Sequence, residues 1–157
     1  MLLANNTGHG FVDVSAQSGA IFHQAWAGRG LAVGDLDNDG LVDAVVTTND
    51  GPAYVLHNET KTPNHWLTFL LVGHRSNRDG IGAEIKLTTP AGSQYVTVTT
   101  AGSYLSSSDK RAHFGLGSAK TAQSVQIRWP SGIVQTLNNV PADQILKVEE
   151  PAGTPAK

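Results

Sequence analysis

Apolar and polar residues alternate one by one along much of this chain, and this period of two constrains the fold more than any other feature. Val96 and Val98 stand between polar or aromatic neighbours, and Val125, Ile127 and Trp129 alternate with Gln and Arg in the same way. Successive side chains of a β-strand point to opposite faces, so the pattern places one face on a core and one in water. A helix would instead place apolar residues at i, i+3, i+4 and i+7, which no stretch of ten or more residues does here. The chain is therefore predicted to be all-β.

Short turn sequences separate the predicted strands. Asp79-Gly80 and the Pro-Ser-Gly run at 130–132 are examples of such turns. We predict strands at residues 11–14, 31–33, 44–48, 53–57, 66–72, 83–87, 95–99, 125–129, 133–137 and 145–149. Many short strands with regular turn signals favour a β-sandwich or a barrel-like domain.

Composition excludes several classes of function. The chain has 157 residues, with 11 Lys and Arg against 13 Asp and Glu, a formal net charge of −2. A nucleic-acid binder would need clustered cations to displace counterions, so we expect no nucleic-acid partner. Cys is absent, which excludes disulfides and thiolate metal sites. The apolar runs fall far short of the roughly 20 residues that a membrane-spanning helix needs, so no membrane span is expected.

An acidic run at residues 35–43 is the strongest candidate site. Asp occupies positions 1, 3, 5 and 9 of this run, and Gly occupies position 6. A tight loop turns alternate side chains toward one point, and Ca²⁺ takes six to eight oxygen ligands at about 2.3–2.6 Å. The predicted ligands are the carboxylates of Asp35, Asp37, Asp39 and Asp43 and the backbone carbonyl of Leu41. Gly40 would let the backbone reverse through a positive φ.

The flanks of the acidic run favour a hairpin held together by calcium. An EF-hand would need Glu at position 12, which here is Val46, and a helix on each side. Residues 30–34 and 44–48 are instead strand-like, so the loop is predicted to join two strands. Arg29 is the nearby cation in the sequence, and a divalent ion would relieve the repulsion among the four carboxylates. Mg²⁺ is disfavoured because it demands a strict octahedron, and an ordinary solvated acidic turn is the alternative interpretation.

Two sets of motifs resemble known families. Residues 5–15, 28–40, 51–53 and 57–59 are similar to the last FG-GAP/VCBS-type repeat of a calcium-binding β-propeller. From residue 64 onward the sequence resembles the ASPIC/UnbV domain of cartilage-acidic-protein-like proteins. The residues that carry this second resemblance are 64–67, Gly73, 76–83, 102–106, 113–117 and 128–132. The strings Ser-Asn-Arg-Asp-Gly-Ile-Gly-Ala and Trp-Pro-Ser-Gly are the most specific of these.

The resemblance implies a domain organisation and the same calcium ligands. Residues 1–60 would form one repeat, a blade-like antiparallel sheet that carries the calcium hairpin, residues 64–150 the ASPIC/UnbV domain, and residues 151–157 a flexible tail. The ligands carried over by position are again Asp35, Asp37, Asp39, Leu41 and Asp43. A propeller needs several repeats and one Asp-rich loop occurs here, so we expect a fragment with one terminal blade packed on the C-terminal domain. Its exposed sheet edges would favour self-association.

A second, weaker candidate site is the turn that contains Ser76, Asn77, Arg78 and Asp79. These residues gather a cation, a carboxylate and two hydrogen-bonding groups, which would suit a ligand-binding loop. The alternative interpretation is a turn fixed by its own side chains.

Catalytic patterns are missing from the sequence. No Ser lies in a G-x-S-x-G context and the six His lack metal-ligand spacing. Glu149 and Glu150 are neighbours on a predicted strand, so they would point to opposite faces and could not form an acid/base pair. We therefore expect no enzyme activity.

These observations favour a non-enzymatic, calcium-binding interaction or adhesion module of a secreted, periplasmic or cell-surface protein. The metal would have a structural role, and the partner would be a protein or a glycan. A calcium-assisted carbohydrate-binding module is the alternative, and it would need a shallow groove with an exposed Trp beside the ion. A hydrolase is the least favoured function, and it would need a solvent-filled pocket with two convergent titratable groups.

Overall fold

The structure, a computed structural model, describes residues 2–6 and 8–153. Besides β-strands it contains two short 3₁₀ helices, Ser15–Gln17 and Ala20–His23. The strands are β1 (Leu3–Asn5), β2 (Phe11–Asp13), β3 (Gly28–Gly34), β4 (Asp43–Thr48), β5 (Tyr54–Leu56), β6 (His65–Val72), β7 (Glu84–Thr89), β8 (Gly92–Thr97), β9 (Ala112–Gly117), β10 (Thr121–Arg128), β11 (Val134–Pro141) and β12 (Gln144–Glu149). The prediction of an all-β chain is confirmed. None of the helices in this described part is long and apolar enough to cross a membrane.

Over the described residues the strands form four open sheets. β1 pairs with β2, and β3-β4-β5 form a three-stranded antiparallel sheet. In the second half of the chain, β12-β6-β9 form one sheet and β11-β10-β7-β8 form another. Pairing is antiparallel except between β12 and β6, which run parallel. The barrel-like alternative is therefore wrong for this part of the chain, because none of these sheets closes on itself.

The hydrophobic core lies between the two sheets of the second half. Phe69 of β6 and Phe114 of β9 meet edge to face there, with ring centroids 5.8 Å apart. Ile85 of β7 and Ile127 of β10 belong to the same core, and all four side chains are at most 1% exposed. Burial of this apolar surface is the main term that stabilises the fold. The second half is thus a β-sandwich.

The predicted alternation is observed directly on β10. Val125 and Ile127 are buried, whereas Gln126 and Arg128 are exposed. β9 has the same alternation, but it was not predicted as a strand because Ala112, Gly115 and Gly117 have low strand propensity. β1 was also missed, since it is exposed along its length and has no core-facing side.

The first-half sheet is joined to the second half along the outer edge of β3. The amide of Val33 donates to Oγ of Ser108 at 3.2 Å, and the amide of Asp109 donates to the carbonyl of Val33 at 2.9 Å. Part of this strand edge is therefore covered. At the other side of the sheet, the outer edge of β5 has no strand partner among the residues that the structure describes.

The predicted tail lies partly outside the described residues, which end at Gly153. Pro151, Ala152 and Gly153 belong to no strand, and the carbonyl of Gly153 accepts a hydrogen bond from Nη1 of Arg75 at 3.0 Å.

Candidate metal centre

The acidic run connects two paired strands, as predicted. β3 and β4 are antiparallel neighbours, and Gly34 stands opposite Asp43 at the base of the loop. The backbone reverses through two left-handed residues, Asn38 with φ 66° and Gly40 with φ 87°. Asn tolerates this region better than most residues, and Gly has no Cβ to clash there. The expected positive φ at Gly40 is confirmed, and the hairpin prediction holds.

Two of the carboxylates are buried and serve as acceptors for the loop backbone. Asp35 is 4% exposed and accepts the amides of Asp39 at 3.1 Å and Gly40 at 3.0 Å. Asp43 is 2% exposed and accepts the amides of Leu36 at 3.0 Å and Asn58 at 2.8 Å. The Asn58 amide is the main reason that the pKa of Asp43 lies below its usual value, and burial opposes it. Both groups therefore shape the loop whether or not an ion is bound.

The predicted ligands gather into two clusters that share Asp37. Asp35, Asp37 and Asp39 each place a carboxylate oxygen within 4.8 Å of the others, and Asp37, Asp43 and His57 form a second such group. Leu41 lies in the same loop, half-buried, and its amide donates to Asp39 at 2.8 Å. The sequence thus identified the loop in which these carboxylates gather, but the carboxylates do not all meet at one point.

The basic side chains around the loop differ from the prediction. Arg29, expected to be the nearby positive charge, lies over the ring of Tyr104 instead, 4.9 Å from its centroid. His57 stands beside the carboxylates, with Nδ1 3.1 Å from Asp43 and Nε2 3.9 Å from Asp37.

Arg111 reaches the loop from the second half and donates to Oδ1 of Asn38 at 2.6 Å and to the carbonyl of Asp35. No local sequence signal connects Arg111 to residues more than 70 positions earlier.

The donor chemistry of the first cluster fits a hard divalent cation. Its donors are carboxylate oxygens, which Ca²⁺ prefers, and the loop carbonyls are the same kind of ligand. Asp37 and Asp39 are exposed at the loop surface, so an ion has access from solvent. The imidazole of His57 in the second cluster departs from this pattern, since it is a better ligand for transition metals.

The second candidate site, Ser76 to Asp79, is organised around a buried carboxylate that sequence reasoning did not select. Oε2 of Glu150 accepts the amides of His74, Arg75 and Ser76, each at 2.8 Å, and Oε1 accepts the hydroxyl of Ser76 at 2.9 Å. Glu150 is 3% exposed. The turn is therefore fixed largely by Glu150, so the interpretation as a structural turn is favoured over a ligand site.

The remaining residues of this turn have partners within the protein. Oδ1 of Asn77 accepts the amide of Asp79 at 2.9 Å, and Asp79 pairs with Lys110 at 2.7 Å. Arg78 is exposed, and its carbonyl accepts the amide of Gly73 at 3.0 Å. These contacts satisfy the turn without a ligand.

Glu150 also connects the two most specific strings of the sequence. The hydroxyl of Ser131, in the Trp-Pro-Ser-Gly string, donates to Oε1 of Glu150, and the amide of Ser131 donates to Oγ of Ser76 at 3.0 Å. Burial would raise the pKa of Glu150, but the hydroxyl and amide donors outweigh it and lower the pKa to about 2. The predicted opposition of Glu149 and Glu150 is confirmed, since Glu149 is exposed.

A small cavity of about 120 Å³, with a mostly apolar lining, lies between the acidic loop and β9. Thr68 and His113 line it and share a hydrogen bond of 2.8 Å. Burial lowers the pKa of His113, although the charge of Asp35 opposes this. A hydroxyl next to an imidazole is the arrangement of an activated nucleophile, but Thr68 is only 1% exposed and a substrate carbonyl has no room to reach it.

A larger groove of about 410 Å³ lies on the outer face of the β8-β7-β10 sheet. Tyr95, which is 71% exposed, lines it, and Nζ of Lys86 lies 5.7 Å from the centre of its ring. Glu84, Thr97, Gln126 and Arg128 are the other polar residues of the lining. None of the three tryptophans lines this groove: Trp129 is buried, Trp66 packs on the acidic loop and Trp26 stacks on Tyr54.

Comparison with known proteins gives one family and a set of relatives. The sequence model of the ASPIC and UnbV family matches residues 73–155, which begins later than the predicted domain start at 64. Cartilage acidic protein 1 of Xenopus tropicalis is 30% identical over 113 residues, that of Homo sapiens 30% over 115 and that of Mus musculus 31% over 109. These alignments cover 69%, 71% and 67% of this chain. The chain spans about 17% of the length of these relatives.

Proposed function

Because the chain belongs to the ASPIC and UnbV family, through a match over residues 73–155, we propose that it is a non-enzymatic interaction module that calcium stabilises. The observation that carries this proposal is the convergence of Asp35, Asp37 and Asp39, whose carboxylate oxygens lie within 4.8 Å of one another at the tip of the β3–β4 hairpin. In water these carboxylates repel one another, and a divalent cation bound by all three would convert this repulsion into a cross-link within the loop that joins the strands.

The residues that would hold Ca²⁺ are Asp35, Asp37 and Asp39, with Asp43 and the carbonyl of Leu41 as the other members of the predicted set. The ion would supply no reaction chemistry. It would hold the hairpin closed and so maintain the surface that a partner meets. The β3-β4-β5 sheet would then be the single blade of an FG-GAP/VCBS-type repeat. We also propose a secreted, periplasmic or cell-surface location and a protein or glycan partner, since weak calcium sites are occupied where calcium is millimolar.

The test is the effect of calcium on the melting temperature. Extracellular modules bind Ca²⁺ with dissociation constants of about 10⁻⁴–10⁻³ M, so about 1 mM calcium should add about 0.4–1.4 kcal/mol. This corresponds to a rise of about 1–5 °C for a chain of this size. Asp37→Ala should abolish the rise and leave the calcium-free protein nearly unchanged, because Asp37 is exposed, whereas Asp35 and Asp43 also hold the backbone.

The matched control is Glu59→Ala, which removes one exposed carboxylate outside both clusters. It changes the net charge by the same amount and should keep the calcium response. An equal response of the Asp37 variant and the unmodified protein would refute the metal assignment.

A saccharide-binding module is the second candidate function, and the groove at Tyr95 is the observation that favours it. An exposed tyrosine ring suits stacking on a sugar, and the neighbouring polar groups suit its hydroxyls. The groove is not lined by any residue of the acidic run, and Trp66, which packs on that loop, lies outside the groove, so this observation supports saccharide binding apart from calcium. Binding on a glycan array that is lost in Tyr95→Ala and kept in Tyr104→Ala would favour this alternative.

We place the hydrolase interpretation last. The cavity that holds Thr68 and His113 is small, and its hydroxyl is buried. Neither property suits the binding of a substrate at a nucleophile.

A further inference from the structure

The two left-handed residues of the acidic loop are each in contact with a side chain of the second half. Oδ1 of Asn38 accepts a hydrogen bond from Nη1 of Arg111 at 2.6 Å, and Nη2 of the same guanidinium donates to the carbonyl of Asp35. Gly40 faces Trp66 so closely that a Cβ at this position would overlap the indole ring. The loop thus reverses direction at the two points where the second half holds it.

Arg111 is itself held in place. Its Nε donates to Oδ2 of Asp109 at 2.6 Å, and its amide donates to Oδ1 of the same carboxylate at 2.9 Å. The amide of Asp109 donates to the carbonyl of Val33, at the end of β3 that leads into the loop. The side chain of Arg111 is 20% exposed. Residues 109–111 therefore make hydrogen bonds both to the end of β3 and to the loop that follows it.

We propose that Arg111 and Trp66 preorganise the acidic loop, so that the second half of the chain sets its calcium affinity. This inference rests on the proposed function of the loop. Asp37 and Asp39 are exposed, and without a bound ion their mutual repulsion disfavours the closed conformation of the loop. A loop already held in the binding conformation loses less conformational freedom when the ion arrives, and its affinity is higher by that difference.

Arg111 is a positioning residue in this scheme. Its hydrogen bonds to the loop favour calcium binding, whereas its positive charge opposes calcium binding. The described hydrogen bonds of its guanidinium to the loop go to an amide oxygen and a carbonyl. Its positive charge, however, repels a cation bound nearby. Removal of Arg111 should tighten calcium binding if the charge dominates, and it should weaken calcium binding if the contacts dominate. The sign of the change therefore separates the two effects.

Thermodynamic linkage adds a second consequence. If the contacts with the second half raise calcium affinity, calcium must strengthen those contacts by the same factor. The amide of Asp109, which donates to Val33, reports on them because it exchanges with solvent when the two halves separate locally.

The first experiment is a calorimetric titration of the unmodified protein, Arg111→Gln and Lys110→Gln with CaCl₂. We expect Arg111→Gln to raise the dissociation constant by at least about fivefold, although it removes a positive charge. Lys110→Gln removes the adjacent cation, whose partner is Asp79, and should leave the constant within about twofold. Equal or tighter binding by Arg111→Gln overturns the inference.

The second experiment uses the unmodified protein and does not depend on the folding of a variant. Saturating calcium should slow hydrogen exchange at the amide of Asp109 by at least about fivefold. An unchanged rate in a protein that binds calcium overturns the inference and leaves the proposed function standing. Absence of calcium binding in the titration of the unmodified protein overturns both.

Discussion

At the scale of single residues, Glu150 shows how a buried charge organises a protein. Its carboxylate accepts three backbone amides and two hydroxyls, which together outweigh the cost of burying it. The donors come from the 74–76 turn and from Ser131, so one side chain fixes two loops that are distant in sequence. A carboxylate that accepts several backbone amides is expected to titrate at low pH, in agreement with its pKa of about 2.

Acid should therefore weaken the fold through Glu150. The folded pKa of about 2 lies below the ordinary value of 4.5, so the stabilisation is complete above pH 4.5 and is lost as the pH falls toward 2. Its size is on the order of 3 kcal/mol at most, from 1.36 kcal/mol per pKa unit. Urea denaturation at a series of pH values should show this loss.

Glu150→Gln should lower the free energy of unfolding by about 2–4 kcal/mol at pH 7, because its amide NH₂ would face donors instead of accepting from them. The same variant should flatten the acid dependence between pH 4.5 and 2. Glu149→Gln is the matched control, an exposed neighbour that should change stability by less than about 0.5 kcal/mol. A Glu150 variant as stable as that control would show that the hydrogen bonds to Glu150 contribute little to the free energy of unfolding.

At the scale of elements, the β3-β4-β5 sheet has apolar side chains on both faces. Leu31 and Val33 of β3 lie on one face, 42% exposed each, and Val55 of β5 lies on the other, 65% exposed. Such a sheet is unusual alone in water, because an exposed face and a free edge both invite further pairing. The outer edge of β3 is partly covered by Ser108 and Asp109, so β5 presents the more accessible edge.

We predict that the protein self-associates through β5. Sedimentation velocity over a range of concentrations should show a shift toward dimers, and Val55→Lys should suppress it, because a charged side chain on an edge strand opposes edge-to-edge pairing. Leu70→Lys is the control, since Leu70 is 39% exposed but lies on the central strand β6. Suppression by both variants, or by neither, would contradict a role for this edge.

At the scale of the whole molecule, the two halves share contacts that make independent unfolding costly. Three contacts connect them: the backbone hydrogen bond between Asp109 and Val33, the hydrogen bond from Arg111 to the acidic loop, and the packing of Gly40 against Trp66. The first-half sheet contributes no residue to the main core, which is built from the sandwich of the second half. Its stability must therefore depend on this junction.

Unfolding should accordingly be a single cooperative transition. Tryptophan fluorescence reports on Trp26, which stacks on Tyr54 of β5, on Trp66 at the junction and on Trp129 in the core. Far-UV circular dichroism reports on all the sheets, so the two signals should change together. Phe69→Ala should lower the free energy of unfolding by about 3–5 kcal/mol by both signals, because it leaves a cavity against Phe114. Two separated transitions would mean that the halves fold independently.

Much of the fold could be read from local patterns, and the errors have local causes. The alternation at Val125 and Ile127 predicted a strand with one buried face, since the pleat makes each side chain's face depend on its position alone. The Asp spacing and Gly40 predicted the hairpin loop, because turn geometry is a property of a few consecutive residues. β9 was missed because its glycines lower strand propensity, and pairing with β6 overrides that preference.

The sequence by itself thus determined the all-β class, the acidic hairpin, the opposed faces of Glu149 and Glu150 and the family to which the chain belongs. Only the tertiary structure decided that Glu150 accepts hydrogen bonds from the 74–76 turn and that His57 lies beside Asp43. It also decided that Arg111 and Trp66 contact the acidic loop. The physical reason is sequence distance. Backbone geometry and alternation act between neighbours, whereas these contacts join residues that come together only when the sheets pack.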